Sequence, residues 1–330
     1  AIEPEKAKAG GAATMSMNQF DKLMHDIEAL APVMGKALSR IHEYSERKKI
    51  CVYSGTKGAY AEQAISRYFD SSEVDAVTVD SFSEIFQAVT DGKADFGMVP
   101  IENSLAGSVY QNYDNFSRFE DVTIVGTVTL NIRHALLATK GAKLEQIKSV
   151  CSHPQALSQC KKFLSNHKDW IQLEALSTAT AAMELASSAD LTRAAIGSTS
   201  NASLYNLEIL AEDIEDDPSN FTRFVVIQNS QIAAAASRFK GEKVPTKASF
   251  IFKAKNQPGA LYKVLGIFNE HNMNLSRIES RPIEGMSWQY WFYADVELKS
   301  FAPDEMEAKI DALAAELKVE TEYLRVLGIY

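Results

Sequence analysis

Four short stretches of the chain hold the residue types that anion and hydroxyl chemistry needs. Ser54-Gly55-Thr56-Lys57-Gly58-Ala59-Tyr60-Ala61-Glu62 is a glycine-bearing turn directly between a strand-like run and a helix-like run. Such a turn presents backbone N–H groups and a helix N-terminus to an anion, and Lys57 adds positive charge. A plain strand-to-helix connection uses the same residues, so the turn alone leaves both readings open. Val99-Pro100-Ile101-Glu102-Asn103-Ser104, followed by Gly107-Ser108-Val109 and Tyr113-Asp114, crowds polar groups immediately after a buried strand. A packed fold gains nothing from them there unless they bond a ligand or cap a helix, and Asn103 and Ser104 suit either task.

In Ser152-His153-Pro154-Gln155-Ala156-Leu157 the proline suits a first helical position, which would leave the amides around it pointing into a cleft. His153 alone is more often a satisfied structural histidine than an acid or base. Asp216-Asp217-Pro218-Ser219-Asn220-Phe221-Thr222-Arg223-Phe224 sets a hydroxyl and a guanidinium at the mouth of the apolar strand Phe224 to Ile227. An arginine fork can bond both oxygens of a carboxylate. An Arg before a strand also commonly lies on the surface, and Arg223 alone does not separate the two.

The elements that must position these residues follow from hydrophobic period. Residues 1 to about 14 are small and polar and read as a lead-in; Phe20, Met24, Ile27, Leu30, Val33, Leu38 and Ile41 then recur at helical spacing up to Arg47. We expect a packing or dimer helix there, since a complete helical mutase domain would need about three long helices. From Lys48 the pattern becomes strand and helix in alternation: Lys49 to Tyr53, Tyr60 to Tyr68, Val74 to Val79, Phe82 to Val89 and Phe96 to Val99. A second set runs from the apolar stretch Val125 to Leu137 through Val150–Cys151, Gln155 to Leu164 and Ile171 to Ala175 to Ala179–Ala186. Two such sets predict an α/β domain of two lobes over residues 48–230, with ligands held at the strand C-termini. A linker is expected over 231–246, and 247–330 then reads strand, helix, strand, strand, helix, strand, the ferredoxin-like order. In that domain Trp288, Tyr290, Phe292, Ala294, Val296 and Leu298 are expected on one face of a strand.

Bulk properties exclude several classes. At 330 residues, with 46% hydrophobic and 23% charged, the chain has the globular balance of two domains. A net charge of -9 argues against a nucleic-acid partner, because phosphate neutralisation needs a basic face. Cys51, Cys151 and Cys160 show neither a CxxC pair nor metal-like spacing with histidine, so no metal and a reducing compartment are expected. No apolar run approaches the length of a membrane span and no export signal is evident, which points to a cytoplasmic protein.

Together the motifs resemble the prephenate dehydratase family in order and spacing. The turn GTKGAY, VPIENSLAGSV, SHPQALSQC, Ser177-Thr178, AAIGS and NFTRF cover nearly all of Lys49 to Gln228. The last domain resembles the ACT regulatory domain joined to such enzymes, with Gly259-Ala260-Leu261 at its GAL motif and Glu279-Ser280-Arg281-Pro282 at its ESRP motif. The resemblance implies a two-lobed fold of the periplasmic-binding-protein type followed by a βαββαβ domain. It implies a decarboxylating dehydratase that makes phenylpyruvate from prephenate, without cofactor. On this basis Thr222 would donate to the leaving hydroxyl, worth roughly 10²- to 10⁴-fold, while Asn103, Ser104 and Gln155 orient the substrate. Arg223 and the turn of Gly55, Lys57 and Gly58 would bind carboxylate, and Phe224 would form an apolar wall.

Phenylalanine would sit against Gly259, Ala260 and Leu261 of one chain and Glu279, Ser280, Arg281 and Pro282 of another, in a homodimer or homotetramer. The first turn departs from the frequent GPxGTF form, with Thr56, Ala59 and Ala61 at its proline and hydroxyl positions, and a GAY turn also occurs in arogenate dehydratases. Arogenate dehydratase therefore stands as the near alternative, and a non-enzymatic amino-acid-sensing protein as the distant one.

Overall fold

The computed structural model describes residues 47–235 and 244–330; the expected helix before Arg47 and most of the expected linker lie outside the described residues. The first lobe opens with β1 (Lys49–Ser54), α1 (Tyr60–Tyr68), β2 (Val74–Val79), α2 (Phe82–Thr90) and β3 (Phe96–Asn103). It continues through β4 (Gly107–Ser108), α3 (Tyr110–Arg118) and β5 (Val122–Asn131). The strands β1, β2 and β3 run parallel, as expected of short apolar runs separated by helices. Helix α2 starts where Ser81 accepts a hydrogen bond from the Glu84 N–H, which satisfies one of the amides a helix start leaves open.

The second lobe holds β6 (Ala135–Ala138), β7 (Ser149–Ser152), α4 (Pro154–Gln159), α5 (Lys161–Ser165), β8 (Ile171–Glu174), α6 (Thr178–Ser188), β9 (Arg193–Gly197), α7 (Thr199–Tyr205) and β10 (Glu208–Ala211). Its sheet order is β10-β6-β9-β7-β8. The chain then returns as β11 (Phe221–Asn229), inserted antiparallel between β3 and β5. A short helix α8 (Ser230–Ala235) leaves the lobe. The apolar stretch from Val125 to Leu137, expected as one run, is split at Ile132–His134 between the two sheets. Sequence alternation continues across the break because both cores bury it: Ile132 is 5% exposed and Ala135 0%. The two crossings lie side by side, with the Ile132 N–H donating to the Asn220 carbonyl at 2.7 Å.

The last domain is β12 (Lys247–Ala254), α9 (Ala260–Glu270), β13 (Asn274–Pro282), β14 (Tyr290–Glu297), α10 (Met306–Glu320) and β15 (Thr321–Ile329), with sheet order β13-β14-β12-β15. Both faces of this sheet are covered. Phe250, Phe252, Ala294 and Val296 pack with Val264 and Phe268 of α9 and Leu313 and Leu317 of α10. Ile251, Tyr293, Leu327 and Tyr330 pack on the first lobe, in one cluster with Phe86, Tyr113, Phe116 and Ile124. Phe292, Ala294, Val296 and Leu298 of the expected face meet the domain's own core, but β14 is covered on its other face too, through Tyr293 and Trp291, and Tyr290 is exposed. Trp288 lies outside the strand, 87% exposed.

Candidate active site

Strand β11 carries the key geometry. Its antiparallel register against β3 sets Thr222 opposite Asn103. Asn103 is a buried residue whose orientation is fixed by the backbone: its Oδ1 accepts from the N–H groups of Leu105 and Ala106 at 3.1 and 2.9 Å. The amide nitrogen must then face the other way, and it donates to Thr222 Oγ1 at 3.0 Å and Asn220 Oδ1 at 2.7 Å. Because the threonine oxygen accepts from Asn103, its own hydrogen is directed elsewhere, and Thr222 is a donor toward whatever lies before it. Ser104 borders the pair, but its hydroxyl accepts from the Phe221 N–H and donates to the Ser219 carbonyl at 2.9 and 2.8 Å. It stitches the end of β3 to the returning segment.

Arg223 is placed away from this group. Side chains alternate along a strand, so the residue after Thr222 must emerge on the opposite face. There it meets the last domain, its Nη2 donating to Asp295 Oδ2 of β14 at 2.8 Å and also to Glu102 Oε2 of β3 at 3.1 Å. The Arg223 side chain is 13% exposed and that of Asp295 10%. The expected carboxylate clamp is thus an inter-domain ion pair. Phe224, on the Thr222 face, is buried with Tyr53, Met98 and Val128, so it supports the strand from within the core.

Gln155 is exposed in the first turn of α4, where its N–H donates to His153 Nδ1 at 3.2 Å. One turn further along the helix it is Gln159, not Gln155, that joins this group: its Oε1 accepts from Asn220 Nδ2 at 3.0 Å. The motif SHPQALSQC holds both glutamines, and the i, i+4 spacing to the buried Cys160 neighbourhood was the available signal for the second.

The turn between β1 and α1 closes on the second lobe. Thr56 and Thr180 hydroxyls lie 3.0 Å apart, Gln63 Nε2 donates to Ser198 Oγ at 3.0 Å, and the Tyr205 hydroxyl donates to the Lys57 carbonyl. Gly55 and Gly58 both have positive φ, and a Cβ on Gly58 would overlap the side chain of Asn201, so only glycine allows the two lobes to meet here. The Gly58 N–H is taken by Glu62 of its own helix, and Lys57 is exposed. That amide is capped from within rather than offered to an outside anion. Asn201, fully buried, has no hydrogen-bond partner for either side-chain atom.

On β13 the alternation divides the ESRP motif. Arg281 grips Asp114 of α3 with two bonds, Nε to Oδ1 at 2.9 Å and Nη2 to Oδ2 at 2.8 Å. Glu279 accepts from Ser108 Oγ at 2.5 Å, and Arg277 donates to Ser108 Oγ at 2.6 Å and Glu102 Oε2 at 3.2 Å. Ser280 and Pro282 are exposed on the other face. Gly259, at φ 78, leads into α9, and Ala260 and Leu261 line a cavity of about 180 Å³ with Trp288, Tyr290 and Phe292.

Two lobes joined by paired crossings, with polar residues from strand ends and helix starts gathered at the junction, define a two-lobed α/β domain of the periplasmic-binding-protein type. The model of the prephenate dehydratase family matches residues 51–232, and that of the ACT domain residues 248–297. The chain belongs to the prephenate dehydratase family. It is 37% identical to the prephenate dehydratase of Methanocaldococcus jannaschii over 285 residues, covering 86% of this chain and 98% of that one. It is 36% identical to arogenate dehydratase 2 of Petunia hybrida over 314 residues, 91% of this chain and 75% of that one. The solved prephenate dehydratase of Arthrobacter aurescens in complex with L-Phe superposes with a TM-score of 0.74 at 27% identity, over 84% of this chain and 89% of that one.

The ion pair across the domain interface gives a direct test. Replacing Asp295 by alanine leaves the Arg223 charge buried with Glu102 alone, and the expected loss is about 3 kcal/mol of unfolding free energy. Urea denaturation followed by circular dichroism measures it; an unchanged midpoint would show that the pair holds nothing together.

Proposed function

We propose that this chain converts prephenate to phenylpyruvate, carbon dioxide and water, under control by L-phenylalanine. The observation that supports the reading is the Asn103–Thr222 bond, which leaves the threonine hydroxyl hydrogen free to donate to a leaving hydroxyl. In the reaction the bond from the ring to its carboxylate breaks and releases CO2. That electron pair enters the ring, the ring carbon–oxygen bond breaks, and the departing hydroxide takes a proton to become water. Aromatisation supplies the driving force. The protein's task is to hold the dianion and to stabilise charge on the departing oxygen, which a positioned hydrogen-bond donor does best. Thr222 is a weak acid, so it serves as that donor or as a relay for the proton.

Arg223 faces the ACT domain, so the substrate carboxylates need other partners. The start of α6 at Ser177 and Thr178, the start of α7 at Ser198, and Lys57 remain around the lobe junction, and they support this part of the reading. Prephenate and arogenate differ only in a keto or amino group on the side chain, and relatives of both names are similar to this chain. We take the cavity beside Ala260 and Leu261 as the effector site, within a homodimer or homotetramer. Three free, buried cysteines support a reducing, cytoplasmic setting.

Incubation of the purified protein with each substrate is the deciding experiment. Phenylpyruvate formed from prephenate is the expected result; phenylalanine formed from arogenate alone would move the chain to the arogenate dehydratases, and no turnover of either would end the enzyme reading. Replacing Thr222 by alanine is expected to lower kcat at least about a hundredfold with thermal unfolding unchanged, and near-parental turnover would remove its role. Calorimetric titration with L-phenylalanine should give saturable heat. No heat would remove the effector and leave the dehydratase reading standing.

A further inference from the structure

The amide of Asn103 is the first link of a longer chain of side chains whose donor and acceptor ends can be assigned one after another. Asn103 Oδ1 is held by two backbone N–H groups, so its nitrogen faces Asn220. Asn220, 0% exposed, must therefore present its oxygen to Asn103 and its nitrogen to Gln159. Gln159 must answer with Oε1. The same Gln159 oxygen lies 3.0 Å from Nε2 of His134, which can satisfy it only by carrying a hydrogen there. His134 is 2% exposed, and burial pushes its pKa down, so the ring is neutral and carries one hydrogen. With that hydrogen on Nε2, Nδ1 is an acceptor. The Tyr60 hydroxyl, 3.1 Å from Nδ1 and 2.7 Å from the Arg133 carbonyl, sets its single O–H between two acceptors. From Asn103 to His134 each donor in the series meets an acceptor. The opposite tautomer would set the Nε2 lone pair against the Gln159 oxygen, a repulsive contact in a buried place.

We propose that His134 and Asn220 are positioning residues for Thr222: the Nε2–H tautomer of His134 and the amide of Asn220 fix Gln159 and Asn103, and through them keep the threonine hydrogen free for the substrate. The series touches both crossings between the lobes, His134 on the outward one and Asn220 on the returning one, as well as α1 of the first lobe and α4 of the second. The hydroxyl is thus set by the same segments that join the lobes. Neither residue reaches substrate, and each acts only through its neighbour. Backbone support alone would not need this polarity, since the Ile132 N–H to Asn220 carbonyl bond already ties the crossings together. The inference rests on the dehydratase reading for its kinetic part, but the assignment of the hydrogens stands on geometry.

Two measurements on the full chain test it. The first replaces His134 by leucine, which has no hydrogen to give Gln159, and by glutamine, whose amide can set a donor near the Nε2 position. His134→Leu is expected to lower kcat about tenfold, the usual scale for a supporting hydrogen bond, with KM changed by less than about twofold. His134→Gln is expected to recover most of that turnover. Parental kcat in His134→Leu, or equal loss in both variants, would overturn the proposal. The second measurement needs no variant to fold: ¹⁵N spectra of histidine-labelled parent protein at neutral pH should show His134 uncharged with its hydrogen on Nε2. A hydrogen on Nδ1 would overturn the assignment whatever the kinetics show. Absence of prephenate turnover by the parent protein would count against the dehydratase reading instead, and the spectra would still decide the hydrogen-bond series.

Discussion

The antiparallel pairing of β11 with β3 is the constraint from which the rest follows. It sets Thr222 against Asn103 and, by the two-residue period of a strand, sends Arg223 to the opposite face. One face of this strand pair therefore carries Thr222 against Asn103 and the other meets the ACT sheet. A slip of one residue would exchange them, burying a hydroxyl against the ACT domain and putting a guanidinium among Tyr53, Met98 and Val128. The cost of that misplaced charge is what keeps the register. The pair is built on adjacent strands, and its orientation is set from outside them by the Leu105 and Ala106 N–H groups and by Asn220 on the returning crossing.

The regulatory domain is joined to the catalytic lobe by charge as well as by apolar packing. Arg223 with Asp295, Arg277 with Glu102, and Arg281 with Asp114 are three pairs across the interface, and Tyr293 adds a hydroxyl bond to the Tyr113 carbonyl at 2.6 Å. Partly buried pairs of this kind add little net stability, but removing one partner is costly, so they specify one docking geometry. Glu279 and Arg281 belong to the motif expected to meet the effector, yet both are engaged with Ser108 and Asp114 of the first lobe. β13 is thus bonded directly to α3 and to β4, and β4 pairs with β3 at Asn103.

Motif and period made much of this legible. The strand and helix alternation and the ferredoxin-like order are present in residue types and spacing, whereas the grouping of Thr222 with Asn103 came from the family resemblance and their pairing from the register of β11 on β3. What escaped depended on which surface covers which face. Nothing local says that both sides of β14 are covered: Tyr293 reads as an outward residue until the first lobe packs on that face. The break at Ile132–His134 was hidden because an apolar residue suits the end of one sheet as well as the start of the next. Gln155 and Gln159 lie one turn apart on α4, and only the position of the returning crossing selects the second. Arg223 was misread for its chemistry: a fork suited to a substrate carboxylate suits an aspartate equally well.

The central claim is that Asn103 donates to Thr222 and so frees the threonine hydrogen. Changing Asn103 to aspartate keeps the acceptor for the Leu105 and Ala106 N–H groups but replaces the donor by a carboxylate oxygen, which would take the Thr222 hydrogen for itself. Measured on prephenate with the folded variant, kcat is expected to fall at least about a hundredfold, as for loss of the hydroxyl itself. Turnover at the parental level in Asn103→Asp would contradict the account.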